Sequence, residues 1–217
     1  MDYAAKFSRI GKKTEPVILG IESSCDETAA ALVRGRELLS DVILSSAAEQ
    51  SKYGGVVPEI ASRMHTDAIG TAVERAVREA GVDKSQIDAV AVTYGAGLLG
   101  ALLVGLSFAK AYAYALDVPL IAVNHIRGHM AAAYLADKML EPPFVTLLAS
   151  GGHTAILLTK SYTDFCILGS TRDDAAGEAF DKAARVLGLP YPGGPHVEKL
   201  AREGKNCIAF PKMFSGG

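Results

Sequence analysis

Two histidines stand one helical turn apart in "AVNHIRGHMAAAYL", His125 and His129, in a chain that holds five. On a helix, residues i and i+4 share a face, so both imidazoles can reach one metal ion. The spacing leaves open the plainer alternative of two surface or internally bonded histidines. No glutamate follows His125 directly, so the H-E-x-x-H arrangement, in which that glutamate is the general base of a metallopeptidase, is missing.

A second candidate is a pair of small-residue turns, "SSCDET" from Ser23 and "ASGGHT" from Ala149. Serine and glycine between two strands expose backbone N–H groups without side-chain obstruction, and such a nest can hold a phosphate. Most turns of this kind are only turns. Two at matching points of a repeat carry more weight, because a nucleotide held between two lobes needs a phosphate loop from each. Glu22 and Asp26 flank the first turn; as anions they suit a cation, a water or an amine better than a phosphate. A third candidate is "DDAAGEAFDKAARVLGLPYPGGP". Asp181 lies mid-helix where a sugar hydroxyl could bind, and Gly193-Gly194 allow close backbone approach to a flat ligand. Its alternative is a solvated aspartate and a helix-linking turn. For His65, His153 and His196 the structural reading is favoured, with His153 bordering the second turn.

These residues need elements to place them. After Pro16, "VILGIE", "TAAALV" and "ELLSDVILSS" read as three strands, the first two joined by the "SSCDE" turn. Apolar residues at Ile60, Met64, Ala68, Ala72, Val73, Ala76 and Val77 recur at helical spacing, with Pro58 suited to the first turn and Gly81 to the C-terminal cap. "DAVAVTY" predicts a buried strand, "ALLVGLSFAKAYAYAL" a buried helix, and "PLIAV" a short strand before the histidine helix. This alternation predicts an α/β layered fold. From Pro142 the chain repeats its own beginning: "PFVTLLASGGHTAILLTK" is again strand, small-residue turn and strand, with Thr154-Ala155 standing where Thr28-Ala29 stood. Two lobes follow, 17–141 and 142–217, after a flexible extension over 1–16. "CILGS", the helix "DDAAGEAFDKAARVLG", the turn "LPYPGGP" and the helix "HVEKLAREG" continue the second lobe. It lacks the strand and helix series that completes the first, so the chain reads as a fragment of a longer protein.

Composition limits the rest. With 217 residues, 49% hydrophobic and 21% charged, the chain can bury a sizeable core. A net charge of -2 gives no global reason to bind nucleic acid, so RNA contact would use a local patch or a partner's surface. Three scattered cysteines support neither a disulfide framework nor a zinc ribbon and suit a reducing cytoplasm. The longest apolar stretch, "AGLLGALLVGLSFA", falls short of the roughly 20 residues of a membrane span.

Taken together, "GIESSCDETAAAL", "YGGVVPEIASRMH", "GLLGALLVGLSFAKA", "VNHIRGHMAA", "LASGGHTAIL" and "DDAAGEAFDKAARVLGLPYPGGP" resemble, in order and spacing, the tRNA N6-adenosine threonylcarbamoyltransferase family, from about Val17 to about Pro211. The resemblance implies the actin, Hsp70 and sugar-kinase type of fold, two ribonuclease-H-like lobes around a nucleotide cleft. It implies transfer of threonylcarbamoyl from threonylcarbamoyl-AMP to the N6 amine of the tRNA adenosine just 3′ of the anticodon, releasing AMP. Carried over by position, the metal ligands fall on His125 and His129, and the substrate loop on Leu148, Ala149, Ser150, Gly151 and Gly152. Further substrate contacts fall on Asp181 and Gly194, and an acidic ribose contact on Glu198. The implied metal is iron, with zinc in its place in some members, one ion per subunit. The implied partners are tRNA and the other subunits of the threonylcarbamoyladenosine synthesis complex, TsaB and TsaE, in the cytoplasm. Within that reaction Glu22 or Asp26 would orient the amine or take its proton.

Two departures qualify the resemblance. The family's Gly-Pro-Gly is Gly95-Ala96-Gly97 here, and its remaining metal ligand, an aspartate, and a substrate-binding asparagine lie beyond this sequence. Two histidines leave a metal short of ligands, so weak metal binding and little transfer are expected of this chain alone. The competing readings are a non-catalytic scaffold homologue, the metallopeptidase of the family's old glycoprotein endopeptidase label, and a kinase or ATPase of the same fold.

Overall fold

A computed structural model describes residues 3–209. Strands β1 (Val17–Glu22), β2 (Glu27–Arg34) and β3 (Glu37–Ser45) form an antiparallel meander. β4 (Ala89–Gly95) pairs in parallel with the other edge of β1, and β5 (Leu120–Asn124) with β4. The resulting order, β3-β2-β1-β4-β5, is that of a ribonuclease-H-like lobe.

Alternation decides which face of this sheet is buried. Val17, Leu19 and Ile21 of β1 point one way and meet Ala30 and Leu32 of β2, Leu19 standing opposite Leu32 and Ile21 opposite Ala30. Helix α3 (Pro58–Ala80) covers this face with Ile69, Val73 and Val77, and α4 (Leu99–Ala115) with Ala109 and Ala113. Leu19 and Leu32 are fully buried, each contributing about 1.5–3 kcal/mol. α3 begins at Pro58 and ends at Gly81, whose φ of 63° is the left-handed cap a glycine tolerates, as the sequence predicts. Both crossovers into parallel strands are helical, as parallel pairing requires.

The second sheet repeats the first three strands as β6 (Phe144–Ala149), β7 (Thr154–Thr159) and β8 (Phe165–Ser170), paired antiparallel. The repeat holds at the level of register: Leu148 pairs with Ala155 where Glu22 pairs with Ala29. Val145, Leu147 and Ile156 occupy the places of Leu19, Ile21 and Ala30, yet are 61%, 72% and 46% exposed. Among the described residues no helix covers that face as α3 and α4 cover the first. Helices α6 (Ala176–Val186) and α7 (Gly193–Glu203) follow β8.

Two segments differ from expectation. Residues 3–10 of the expected flexible extension form helix α1 (Tyr3–Ile10). Its Lys6 is nearly buried and donates to the carbonyl and carboxylate of Asp117 at 2.8 and 2.5 Å, while Lys13, further on, pairs with Asp88 at 2.5 Å. The segment's positive charges thus meet acidic groups at the foot of the first sheet. In "LPYPGGP" the last three residues are not turn but the start of α7, because the Asp181 carboxylate accepts the Gly193 N–H at 2.6 Å. The short helix α2 (Ala47–Gln50) follows β3. No described helix is long and apolar enough to cross a membrane. Residues 1–2 of the extension and the expected end of the second lobe, 210–217, lie outside the described residues.

Candidate active site between the two turns

Helix α5 (His125–Ala136) carries the histidine pair. It starts where β5 ends because Asn124 caps it, its side-chain oxygen accepting from the N–H groups of Ile126 and Arg127 at 3.0 and 3.4 Å. His125 is therefore the first helical residue, placed at the C-terminal end of the parallel strands. His129 follows one turn later on the same face, with its Nε2 at 3.0 Å from Nε2 of His125.

Glu22, at the end of β1, orients the first of these rings. Its Oε2 accepts from His125 Nδ1 at 3.3 Å, and its Oε1 accepts from the Ser24 N–H at 2.5 Å. Ser24 Oγ lies 3.2 Å from the same Nδ1. Burial pushes the Glu22 carboxyl up, but hydrogen bonds from His125, Ser24 and Thr93 outweigh it and hold the pKa at about 2. An ionised carboxylate only accepts, so Nδ1 of His125 carries the proton and Nε2 presents a lone pair to the cleft. His129 and His153 are held below the usual imidazole range, first by burial and then by the neighbouring His125, which keeps them neutral.

The first turn is pressed into place from behind. A Cβ on Gly97 would lie 2.6 Å from both the Cβ and the carbonyl oxygen of Ser24, and the Leu98 N–H donates to that oxygen at 2.7 Å. The second turn closes on itself, Ser150 N–H donating to His153 O at 2.8 Å and His153 N–H to Ser150 Oγ at 3.1 Å. Gly151 and Gly152 are left exposed between them. Gly177 of α6 abuts this turn and donates its N–H to Ser150 O at 3.1 Å.

The turns and the histidines converge on one cavity of about 380 Å³, lined by Glu22, Ser24, Cys25, Asp26, Gly97, His125, His129 and Ser150 through His153. Asp26 accepts from Tyr191 Oη, reaching across from the second lobe, at 3.4 Å. Burial and Asp26 push the Cys25 thiol up to about 11, so it stays protonated, and they raise the Tyr191 phenol as well.

Other sequence candidates stand elsewhere. Leu148 is buried with Met130 and Leu157 beneath the second sheet, so only its backbone faces the turn. Asp181 holds the start of α7, and Glu198 pairs with Arg202 at 2.6 Å on the outside of that helix. Gly194 has open space around its Cβ direction. None of Asp181, Gly194 and Glu198 lines the cavity. His65 is a core residue, bonded to Thr28 Oγ1 at 2.7 Å and Cys25 O at 2.9 Å, and His196 is exposed. His153, read as structural, lies in the site with its ring 5.7 Å from that of His125. Its place beside the glycine pair was the available signal. Gly177 and Tyr191 had none.

The convergent Nε2 atoms, with a carboxylate behind His125, form a donor pair of the kind that holds iron or zinc. Among the described residues no set of three or more His, Cys, Asp or Glu side chains converges as a ligand cluster. The pair fits a metal but does not enclose one.

A sequence profile described as tRNA N6-adenosine threonylcarbamoyltransferase matches residues 37–216. The protein of that name from Clostridium perfringens is 61% identical over 198 residues, which cover 90% of this chain and 58% of that protein. The one from Clostridioides difficile is 54% identical over 200 residues, covering 91% and 59%. This chain thus spans somewhat under two thirds of the length of these relatives. Among solved structures, a ROK hexokinase from Thermus thermophilus overlays with a TM-score of 0.49 at 18% identity, covering 88% of this chain and 70% of that one. The chain folds as two α/β lobes, and by the match over residues 37–216 it belongs to the tRNA N6-adenosine threonylcarbamoyltransferase family.

Proposed function

We propose that this chain forms the donor-binding part of an enzyme that moves threonylcarbamoyl from threonylcarbamoyl-AMP to the N6 amine of the tRNA adenosine 3′ of the anticodon. The observation that carries this reading is the single cavity in which both small-residue turns and the histidine pair converge. In the transfer the amine nitrogen bonds to the carbamoyl carbon, the bond from that carbon to the AMP phosphate oxygen breaks, and the amine loses a proton. AMP leaves with the electron pair.

The residues divide this work. The backbone N–H groups of the exposed glycines Gly151 and Gly152 suit the AMP phosphate, where backbone donors stabilise the leaving charge. His125 and His129 would hold iron, or zinc in its place, which when bound supplies a Lewis acid toward the carbonyl. Glu22 has both oxygens committed to Ser24 and His125, which makes it an orienting group. Asp26, with its longer bond from Tyr191, would receive the amine's proton. An aromatic amine is a poor nucleophile, so positioning against an activated donor contributes most. Asp181 of α6, with Gly194 and Glu198 of α7, lies outside this cavity; the three remain proposed ribose and base contacts. With a net charge of -2, the chain leaves tRNA delivery to partner subunits of the TsaB and TsaE type, in the cytoplasm.

The test uses the full-length protein with those partners, unmodified tRNA and threonylcarbamoyl-AMP, and reads modified adenosine by nucleoside mass spectrometry. Asp26→Asn is expected to slow transfer about 10²-fold or more. A normal rate in that variant sinks the assignment of Asp26. Phosphoryl transfer from ATP, cleavage of a glycoprotein, or stimulation of a partner without product of its own would each replace the proposed reaction. The 217-residue chain by itself is expected to bind metal weakly and transfer little.

A further inference from the structure

The β2–β3 turn of the first lobe carries Arg36, and its guanidinium meets the elements at which the two lobes join. Nη1 donates to the carbonyls of Lys138 and Leu140, at 2.7 and 3.1 Å, in the segment leading from α5 to β6. Nη2 donates to Tyr162 Oη at 3.0 Å, in the β7–β8 turn of the second lobe. The same group lies 5.2 Å over the Tyr134 ring of α5 and 5.6 Å over that of Tyr162. A planar cation with five donors can serve three acceptors and two rings together, which a lysine ammonium cannot.

Within the first lobe the turn is closed by the pairing of Arg34 with Glu37. All of these Arg36 contacts run to the linker, the histidine helix or the second lobe. Arg127 on α5 reinforces the junction, donating to Thr163 O at 2.9 Å and lying 5.1 Å over Phe165. Elsewhere the lobes are joined by the packing of Met130 and Ile126 of α5 against Leu148 and Leu157, and by single bonds from Arg185 to Gly54 O and from Tyr191 to Asp26.

We propose that Arg36 is a positioning residue that sets the angle between the lobes, and with it the width of the cleft between the Ser23–Asp26 and Ser150–His153 turns. Its part in threonylcarbamoyl transfer rests on the function proposed above; its part in the lobe angle does not.

The test measures the angle directly. Spin labels at exposed Asp67 of α3 and Lys199 of α7, with Cys25, Cys166 and Cys207 replaced by serine, report the distance between lobes by double electron–electron resonance. One narrow distance is expected in the parent, and a broadened distribution in Arg36→Ala, Arg36→Lys and Tyr162→Ala, with circular dichroism unchanged. Should Arg36→Ala fail to fold, Tyr162→Ala carries the test, because it leaves the first lobe untouched. Distributions that superimpose on the parent's overturn the proposal. In the full-length enzyme, Arg36→Lys is expected to raise KM for threonylcarbamoyl-AMP while kcat holds, since a ligand bridging both turns must then close the cleft itself. A broadened distance with unchanged KM removes the link to transfer and leaves the link to the lobe angle.

Discussion

The same substitution, glycine to alanine within a helix, is expected to have opposite signs at two places in this chain. In α3 a Cβ on Gly70 would meet nothing within 4 Å. Only the intrinsic preference for alanine acts there, so Gly70→Ala should stabilise the chain by about 1 kcal/mol. In α6 a Cβ on Gly177 would lie 2.7 Å from Gly151 Cα, 2.8 Å from Ser150 O and 2.9 Å from Gly151 N. Each of these atoms is backbone, so none can swing aside as the end of a long side chain would. Relief requires α6 and the turn to separate, at an overpacking cost of about 1–3 kcal/mol. Separation also strains the Gly177 N–H bond to Ser150 O, worth about 1 kcal/mol. Helix preference is smaller in the first turn, where Gly177 sits, so the clash wins and Gly177→Ala should destabilise by about 1–3 kcal/mol net. Urea unfolding of both variants checks this through shifts of the midpoint at constant slope. Stabilisation of Gly177→Ala comparable to that of Gly70→Ala would refute the close approach of α6 to the turn.

Glu22→Gln should release the His125 tautomer, seen as imidazole 15N shifts moving from a single Nδ1–H form toward a mixture; unchanged shifts would show that Ser24 alone orients the ring. The Glu22 carboxyl is held at about 2 against 4.5 when unpaired, so its stabilisation is present above pH 4.5 and lost as pH falls toward 2. Acid unfolding of Glu22→Gln should be correspondingly flatter in that window. His65→Leu leaves the buried Thr28 hydroxyl without its partner and should cost about 1–3 kcal/mol by thermal or urea unfolding. His196→Ala, on an exposed ring, should stay within about 0.5 kcal/mol in the same assay.

These contrasts mark what one chain of letters determines here. The strands, the caps of α3 and the repeat are legible because alternation, helical spacing, Pro58 and Gly81 act over a few residues at a time. The i, i+4 spacing likewise put His125 and His129 on one face before any fold was known. Tertiary packing decided the rest. The spacing left a metal pair and two unrelated histidines equally open, and it is Glu22, brought from a distant strand, that turns the Nε2 of His125 toward the cleft. His153, Gly177 and Tyr191 join the site from the second lobe across long stretches of chain, by contacts no local pattern encodes. Asp181 and α1 show the converse: a mid-helix aspartate and a basic leader look solvated in sequence until a backbone N–H and two acidic groups are folded against them. Local physics chose the elements and their faces; which faces meet depended on register and helix packing, which only the folded chain sets.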